Sequence, residues 1–184
     1  MKRYTVLIVI SILIISFIAI VLFGLISFVQ EYETPKVYET TVAKYCCEYE
    51  VDVNFVYAVI KVESKFKEKA ESKKGARGLM QIMPSTAQYI AVKLSEDINN
   101  IDLFDPEVNL KYGIWYLSYL NKMFNDDKML VSAAYNAGEG NVKVWIEKYS
   151  MFGFKVSEIP FAETKHYVEK VLRYFEMYRN KYGY

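Results

Sequence analysis

An all-α domain preceded by a single membrane-spanning helix is the architecture this sequence predicts, and three observations carry it. Residues Thr5 to Val29 contain no charged side chain and are almost wholly aliphatic or aromatic. From Val37 onward apolar residues recur at helical spacing, and no run alternates convincingly enough to compete as a strand. Helix start and stop residues, among them Asp52, Pro84, Asp105-Pro106 and Gly138, punctuate that pattern.

As a helix, the 25 uncharged residues reach about 38 Å, more than a hydrocarbon core of about 30 Å. Lys2 and Arg3 precede the run and Glu31 and Glu33 follow it. The positive-inside rule therefore places the N-terminus in the cytoplasm and the rest of the chain outside, at the cell membrane. A cleaved secretory signal is the competing reading, but the run is long for one and its exit, Leu25 to Val29, lacks a small-x-small cleavage site. The predicted organisation is a cytoplasmic tip and signal-anchor helix over 1–30, a short linker with Pro35 over 31–37, and one folded domain over 38–184.

The only cysteines, Cys46 and Cys47, lie well beyond the apolar run, which argues against a lipid-modified N-terminus. A bridge between adjacent cysteines is strained, so no disulfide framework is expected and both read as core or near-core groups. The domain must be held by its core, and about 150 residues can bury roughly 68–70% of the unfolded chain's surface. Lys plus Arg number 23 against 22 Asp plus Glu, so no basic excess calls for nucleic acid.

In chain order, the first helix of the domain runs from about Val37 to Glu50, with Val42, Tyr45, Cys46 and Tyr49 on one side. Asp52 is a natural N-cap for a helix to about Ser64, with Phe55, Val56, Val59, Ile60 and Val62 apolar. Periodicity fades between Phe66 and Met83, where Gly75 and Gly78 indicate an irregular segment with at most a helical turn near Leu79. Pro84 suits the first turn of a helix to about Leu94. Asp105-Pro106 opens another to about Asn125, which carries Val108, Tyr112, Trp115, Tyr116, Tyr119 and Leu120. Met129 to Asn136 is a short helix stopped by Gly138, and Asn141 is expected to cap a further short helix to about Lys148. The last helix, Phe161 to about Lys181, turns Tyr167, Val168, Val171, Leu172, Phe175 and Tyr178 inward.

Glu63 follows Val56, Val59 and Ile60 at offsets that continue the apolar stripe of its helix. It also lies in the last turn, where the helix dipole is negative, and both desolvation and that field favour the protonated acid. A carboxylic acid protonated near neutral pH can donate to a leaving oxygen. The ordinary alternative is an ion pair with Lys67, four residues on.

Two further segments fit a sugar-binding cleft. Ser72 to Pro84 carries two glycines that allow close approach, the Gln81 amide, and Met80 and Met83 as soft apolar walls. It lacks the Gly-Lys-Ser/Thr ending of a phosphate loop. Ala133 to Val142 places Tyr135 and Asn136 just before a glycine at a helix end. The plain readings are an ordinary loop, core packing for the methionines, and an inward Tyr135 with Asn136 closing its helix. His166, the only histidine, reads as a helix-surface residue, and with no second histidine and no cysteine pair at ligand spacing neither a metal nor a cofactor is assigned.

Order and spacing together carry a resemblance. Glu63-Ser64-x-Phe66 is followed by Ala70-x-Ser72-x-x-Gly75-Ala76-x-Gly78-Leu79-Met80-Gln81-Ile82-Met83-Pro84-x-Thr86-Ala87. Then come Asp105-Pro106, Asn109, Gly113, Tyr116-Leu117, Ala134-Tyr135-Asn136-Ala137-Gly138, Ile159-Pro160, Glu163-Thr164 and Tyr167-Val168. This pattern resembles the soluble lytic murein transglycosylase family over roughly Tyr38 to Tyr182. Glu139 departs from it, standing where the family often has proline.

The resemblance implies a lysozyme-like helical fold and a lyase that cleaves the β-1,4 bond between N-acetylmuramic acid and N-acetylglucosamine, leaving 1,6-anhydromuramoyl ends. It implies Glu63 as the single catalytic acid/base, with Ser72, Gln81, Met83, Tyr135, Asn136 and Glu163 on the substrate groove and peptidoglycan glycan strands as the partner. A lysozyme-type hydrolase using water is the nearest alternative, and a non-catalytic, membrane-tethered peptidoglycan-binding or assembly module is the alternative of another class. General wall remodelling and local opening of the wall for a secretion or conjugation apparatus fit the sequence equally.

Overall fold

The computed structural model describes residues 2–32, 35–149 and 154–183. The chain divides into two compact units, Met1–Pro35 and Lys36–Tyr184. Of the expected linker, Glu33 and Thr34 lie outside the described residues.

The first unit holds one helix, α1, Lys2–Tyr32. Its side chains are described at 9–10 and 12–25, and the large apolar ones among them are exposed, from Val21 at 44% to Phe23 at 73%. Among the described residues no helix is long and apolar enough to cross a membrane. Positions 12–25 reach only about 21 Å along a helix axis, against a hydrocarbon core of about 30 Å.

The second unit is all-helical apart from turns and two isolated bridges among the described residues. It comprises α2, Glu39–Tyr49; α3, Val53–Glu63; α4, Pro84–Leu94; α5, Pro106–Met123; α6, Lys128–Ala137; α7, Glu139–Tyr149; a 3₁₀ turn, Val156–Glu158; and α8, Ala162–Tyr182. Asp52 and Asp105 act as the expected start signals, and Asp127 starts α6 in the same way, at Lys128, one residue before the expected Met129: each carboxylate accepts from two backbone N–H groups at the start of its helix, satisfying donors that a helix leaves unpaired. Pro84 and Pro106 occupy first turns, where the missing N–H costs nothing.

α8 packs along α3 and α6, α5 against α2 and α6, and α4 against α5. Phe55 meets Phe175 edge to face at 5.6 Å, and Tyr57 stacks on Tyr178 at 5.4 Å, joining α3 to α8 through aromatic rings. In α5 the fully buried apolar side chains are Leu110, Ile114, Leu117 and Leu120, while Val108, Trp115, Tyr116 and Tyr119 are only partly covered. Some expectations need correction. In α8 Tyr174 is buried and Leu172 only partly so. Cys46 is buried but Cys47 is exposed, one position round the helix. Asn141 does not cap α7: that helix starts two residues earlier, and the Asn141 amide reaches back to the Ala137 carbonyl at 2.7 Å.

Between α3 and α4 no helix forms. Arg77 and Ile82 exchange two backbone hydrogen bonds of 3.0 Å, closing a tight loop over residues 77–82. Asn109 of α5, wholly buried, holds that loop: its Oδ1 accepts from the Met80 N–H at 2.7 Å, and its Nδ2 donates to the carbonyls of Arg77 and Leu103, both at 2.8 Å. Gly78 has φ 78° and lies against that amide, so any Cβ there would collide with Asn109 and the Leu103 carbonyl. Gly113, one turn further along α5, leaves the space that the Met80 side chain fills.

Replacing Asn109 with Ala leaves the Met80 N–H and the Leu103 carbonyl without their partner, while the Arg77 carbonyl keeps its bond from the Ile82 N–H, and we expect urea denaturation to show a loss of about 3 kcal/mol.

Candidate active site

Glu63 is the last residue of α3. Ser64 closes the helix by donating its N–H to the Ile60 carbonyl, and Lys65 and Phe66 then take φ of 52° and 64°, turning the chain away. The Glu63 side chain is thereby left at a helix end, partly exposed, with wholly buried Val56, Val59 and Ile60 behind it. Its Oε1 accepts a 2.7 Å hydrogen bond from the Tyr167 hydroxyl of α8. Burial pushes its pKa up from 4.5 to about 7, and the Tyr167 bond only partly offsets this. No ion pair joins Glu63 to Lys67 among the described residues.

Tyr135 of α6 completes the floor of this site. Its hydroxyl donates to the Met80 carbonyl at 2.8 Å, tying α6 to the 77–82 loop. Burial, and then the charge of Glu63, hold the hydroxyl pKa of both Tyr135 and Tyr167 far above the usual tyrosine value. Both therefore remain protonated donors at any pH at which Glu63 titrates. The connections run from Asn109 to the Met80 peptide, on to Tyr135, and from Tyr135 by its electrostatic coupling to Glu63 and Tyr167.

The other expected groove residues are placed unevenly. Gln81, at φ 49°, spends its amide N–H groups on the Ala70 and Gly78 carbonyls at 3.1 and 2.9 Å. It braces the loop with its donor, whereas the sequence offers both donor and acceptor to a cleft. Asn136 accepts from buried Thr164 at 2.8 Å, so the end of α6 is fastened to the first turn of α8, beside exposed Glu163. Met83 caps α4 with 37% of its surface exposed. Ser72 accepts from the Ala76 N–H at 2.9 Å within its own turn, and no hydrogen bond joins it to Glu63. His166 stands on the surface of α8, 3.9 Å from Glu169.

Tyr167 is the functional residue the sequence reading left out. It was placed correctly on the inward face of its helix, but its partner lies 104 positions away. Only the recurrence of Tyr167-Val168 at the end of the ordered motifs pointed to it.

A carboxyl group raised to about 7, beside two tyrosines that stay protonated, stands at a helix end on an all-helical scaffold. Residues 40–157 match the model of the transglycosylase SLT domain, and the chain belongs to that family. It is 36% identical over 151 residues to the soluble lytic murein transglycosylase of Escherichia coli K12, which covers 79% of this chain and 23% of that protein. It is 34% identical over 127 residues to the membrane-bound lytic murein transglycosylase D of the same organism, covering 66% of this chain and 28% of that protein. The 70 kDa soluble lytic transglycosylase of E. coli superposes with a TM-score of 0.75 at 36% identity, over 82% of this chain and 25% of the other. The Pseudomonas aeruginosa lytic transglycosylase Slt, solved as an inactive glutamate-to-glutamine mutant, superposes with a TM-score of 0.73 at 33% identity, over 80% of this chain and 25% of that one. The chain thus has the all-α, lysozyme-like fold of this family and spans about a quarter of the length of these relatives.

The raised pKa has a consequence for stability. A carboxyl group whose folded pKa exceeds its unfolded one stabilises the fold fully below about 4.5 and loses that contribution as pH rises through about 7. Between pH 4.5 and about pH 8 the wild type should therefore lose up to about 3 kcal/mol relative to Glu63→Gln, read from urea unfolding curves across that range.

Proposed function

We propose that this chain is a lytic transglycosylase of peptidoglycan, with Glu63 as its only catalytic acid and base. The observation that carries the reading is the Glu63 carboxyl, raised to about 7 by burial and held by Tyr167 in a domain of the SLT family. The names of the relatives support the same activity and substrate.

Protonated Glu63 gives its proton to the oxygen between N-acetylmuramic acid and N-acetylglucosamine, and the C1–O bond of the muramoyl residue breaks. The sugar acquires oxocarbenium-like charge, which its own N-acetyl group can support without a second protein carboxylate. Glu63, now ionised, takes the proton of the muramoyl C6 hydroxyl as that oxygen closes onto C1. A 1,6-anhydro end forms, and Glu63 is protonated again. Tyr167 donates to the carboxylate in the intermediate state and so steadies it in the position from which it must take the next proton. Acid/base help of this kind contributes about 10²–10⁴ in rate, so positioning and ring distortion supply the rest. Gln81 through its acceptor oxygen, Met83 through its exposed thioether, and Tyr135, Asn136, Glu163 and Ser72 are the groove residues in this reading.

In the same reading α1 anchors the domain outside the cytoplasmic membrane. Its support is the uncharged run Thr5 to Val29, the helical backbone over Lys2–Tyr32, and aliphatic side chains with no protein cover at the described positions. A cation-first, anion-last charge order sets the direction.

Incubated with purified peptidoglycan, the wild type should release fragments with 1,6-anhydro ends by mass spectrometry, and Glu63→Gln should slow release by about 10²–10⁴. Reducing ends alone would mean that water is the acceptor. Separately, fractionated cells should hold the full chain in the carbonate-resistant membrane pellet, and deletion of residues 2–30 should move it to the soluble fraction; equal distribution of the two would exclude the anchor.

A further inference from the structure

Aromatic side chains continue outward from the site along α5. Tyr135 lies 5.6 Å from the ring of Tyr116, Tyr116 stacks on Tyr119 at 6.0 Å, and Tyr119 stacks on Trp115 at 5.8 Å with the planes 4° apart. Tyr89 of α4, 41% exposed, closes the outer end with its edge toward Trp115 and Tyr119 at 6.3 and 6.1 Å. Trp115, Tyr116, Tyr119 and Tyr135 pack against the core but are only partly covered by it. Tyr116 is fixed: its hydroxyl donates to Glu139 Oε2 at 3.1 Å, which gives a task to the residue that departs from the family pattern. At the far end Trp115 and Tyr119 line a depression of about 350 Å³ whose remaining walls are Glu48, Tyr49, Glu50, Ser118 and Lys122.

We propose that this depression is a distal sugar-binding subsite, which holds the glycan strand beyond the residues gripped at Glu63. The proposal rests on the glycan reading of the Glu63 site but asks more of it. A sugar ring has an apolar C–H face and a rim of hydroxyls. Aromatic rings cover the first, and carboxylates, a hydroxyl and an ammonium group satisfy the second. Trp115, Tyr119, Glu48, Glu50, Ser118 and Lys122 supply that mixture. Continuity with Tyr135 selects the occupant, because a strand leaving the cleft along these rings remains in contact with protein throughout. A second copy of the chain would cover the rings but would leave the four charged and hydroxyl groups around them without a reason.

The test is binding by the full chain in detergent, carrying Glu63→Gln so that the ligand survives. Uncross-linked glycan strands and a tetrasaccharide cut from them are the two probes. Trp115→Ala should weaken strand binding about tenfold and leave the tetrasaccharide unchanged. Trp115→Phe should restore most of the affinity, and circular dichroism should confirm the fold. If Trp115→Ala does not fold, Tyr89→Ala should give the same split. Unchanged strand affinity, equal loss on both probes, no binding of strands at all, or loss of a dimer in sedimentation with glycan affinity intact would each overturn the subsite. Should the wild type form no anhydro ends while Trp115 still discriminates strands from tetrasaccharide, the catalytic reading fails and the subsite stands.

Discussion

The site is organised around one carboxyl group withdrawn from most of its water and given, among the described residues, one protein donor. Left fully solvated, Glu63 would titrate near 4.5 and be almost entirely ionised at neutral pH. Fully satisfied by several donors, it would be ionised more firmly still. The end of α3, with its apolar stripe behind and the Tyr167 hydroxyl in front, holds it between these limits. Desolvation raises the pKa, one hydrogen bond lowers it in part, and the balance leaves both protonation states accessible near pH 7. The proposed acid/base role draws on both.

That balance depends on placement, and the placement comes from a polar core as much as from an apolar one. Asn109 brings the 77–82 loop onto α5 through three hydrogen bonds, and Gly78 and Gly113 remove the side chains that would hold it off. The Met80 carbonyl, presented by that loop, anchors Tyr135. On the other side, Thr164 and Asn136 bind the start of α8 to the end of α6, which fixes the turn before Tyr167. Each group in this network is satisfied by protein, so the low local dielectric strengthens the bonds instead of penalising them. Gln81 follows the same logic: a residue that reads as a ligand contact is first a brace for its own loop.

Much of this could be read in advance because it is local. Asp52, Asp105 and Pro84 act within four residues of themselves, so the starts of α3, α5 and α4 followed from the chain. Glu63 could be singled out because an acid on an apolar stripe conflicts with its surroundings whatever those prove to be. Spacing left open whatever depended on distant neighbours. Trp115, Tyr116 and Tyr119 recur at helical spacing, yet how far the surrounding helices cover them is set by packing, and all three are only partly covered. Cys47 and Leu172 gave way to neighbours one or two positions along for the same reason.

By itself the sequence determined the helical class, most of the helix starts, the uncharged N-terminal run, and the ordered motifs that single out Glu63. These are properties of hydrophobic periodicity, backbone capping and spacing, all of which act over one or two helical turns. Only the tertiary structure decided that Tyr167, 104 residues on, is the donor to Glu63, that Asn109 holds the loop beneath Tyr135, and that the aromatics of α5 lead outward from the site. Hydrogen bonds and ring contacts between remote segments depend on how the helices pack, and that packing is settled by the whole core at once.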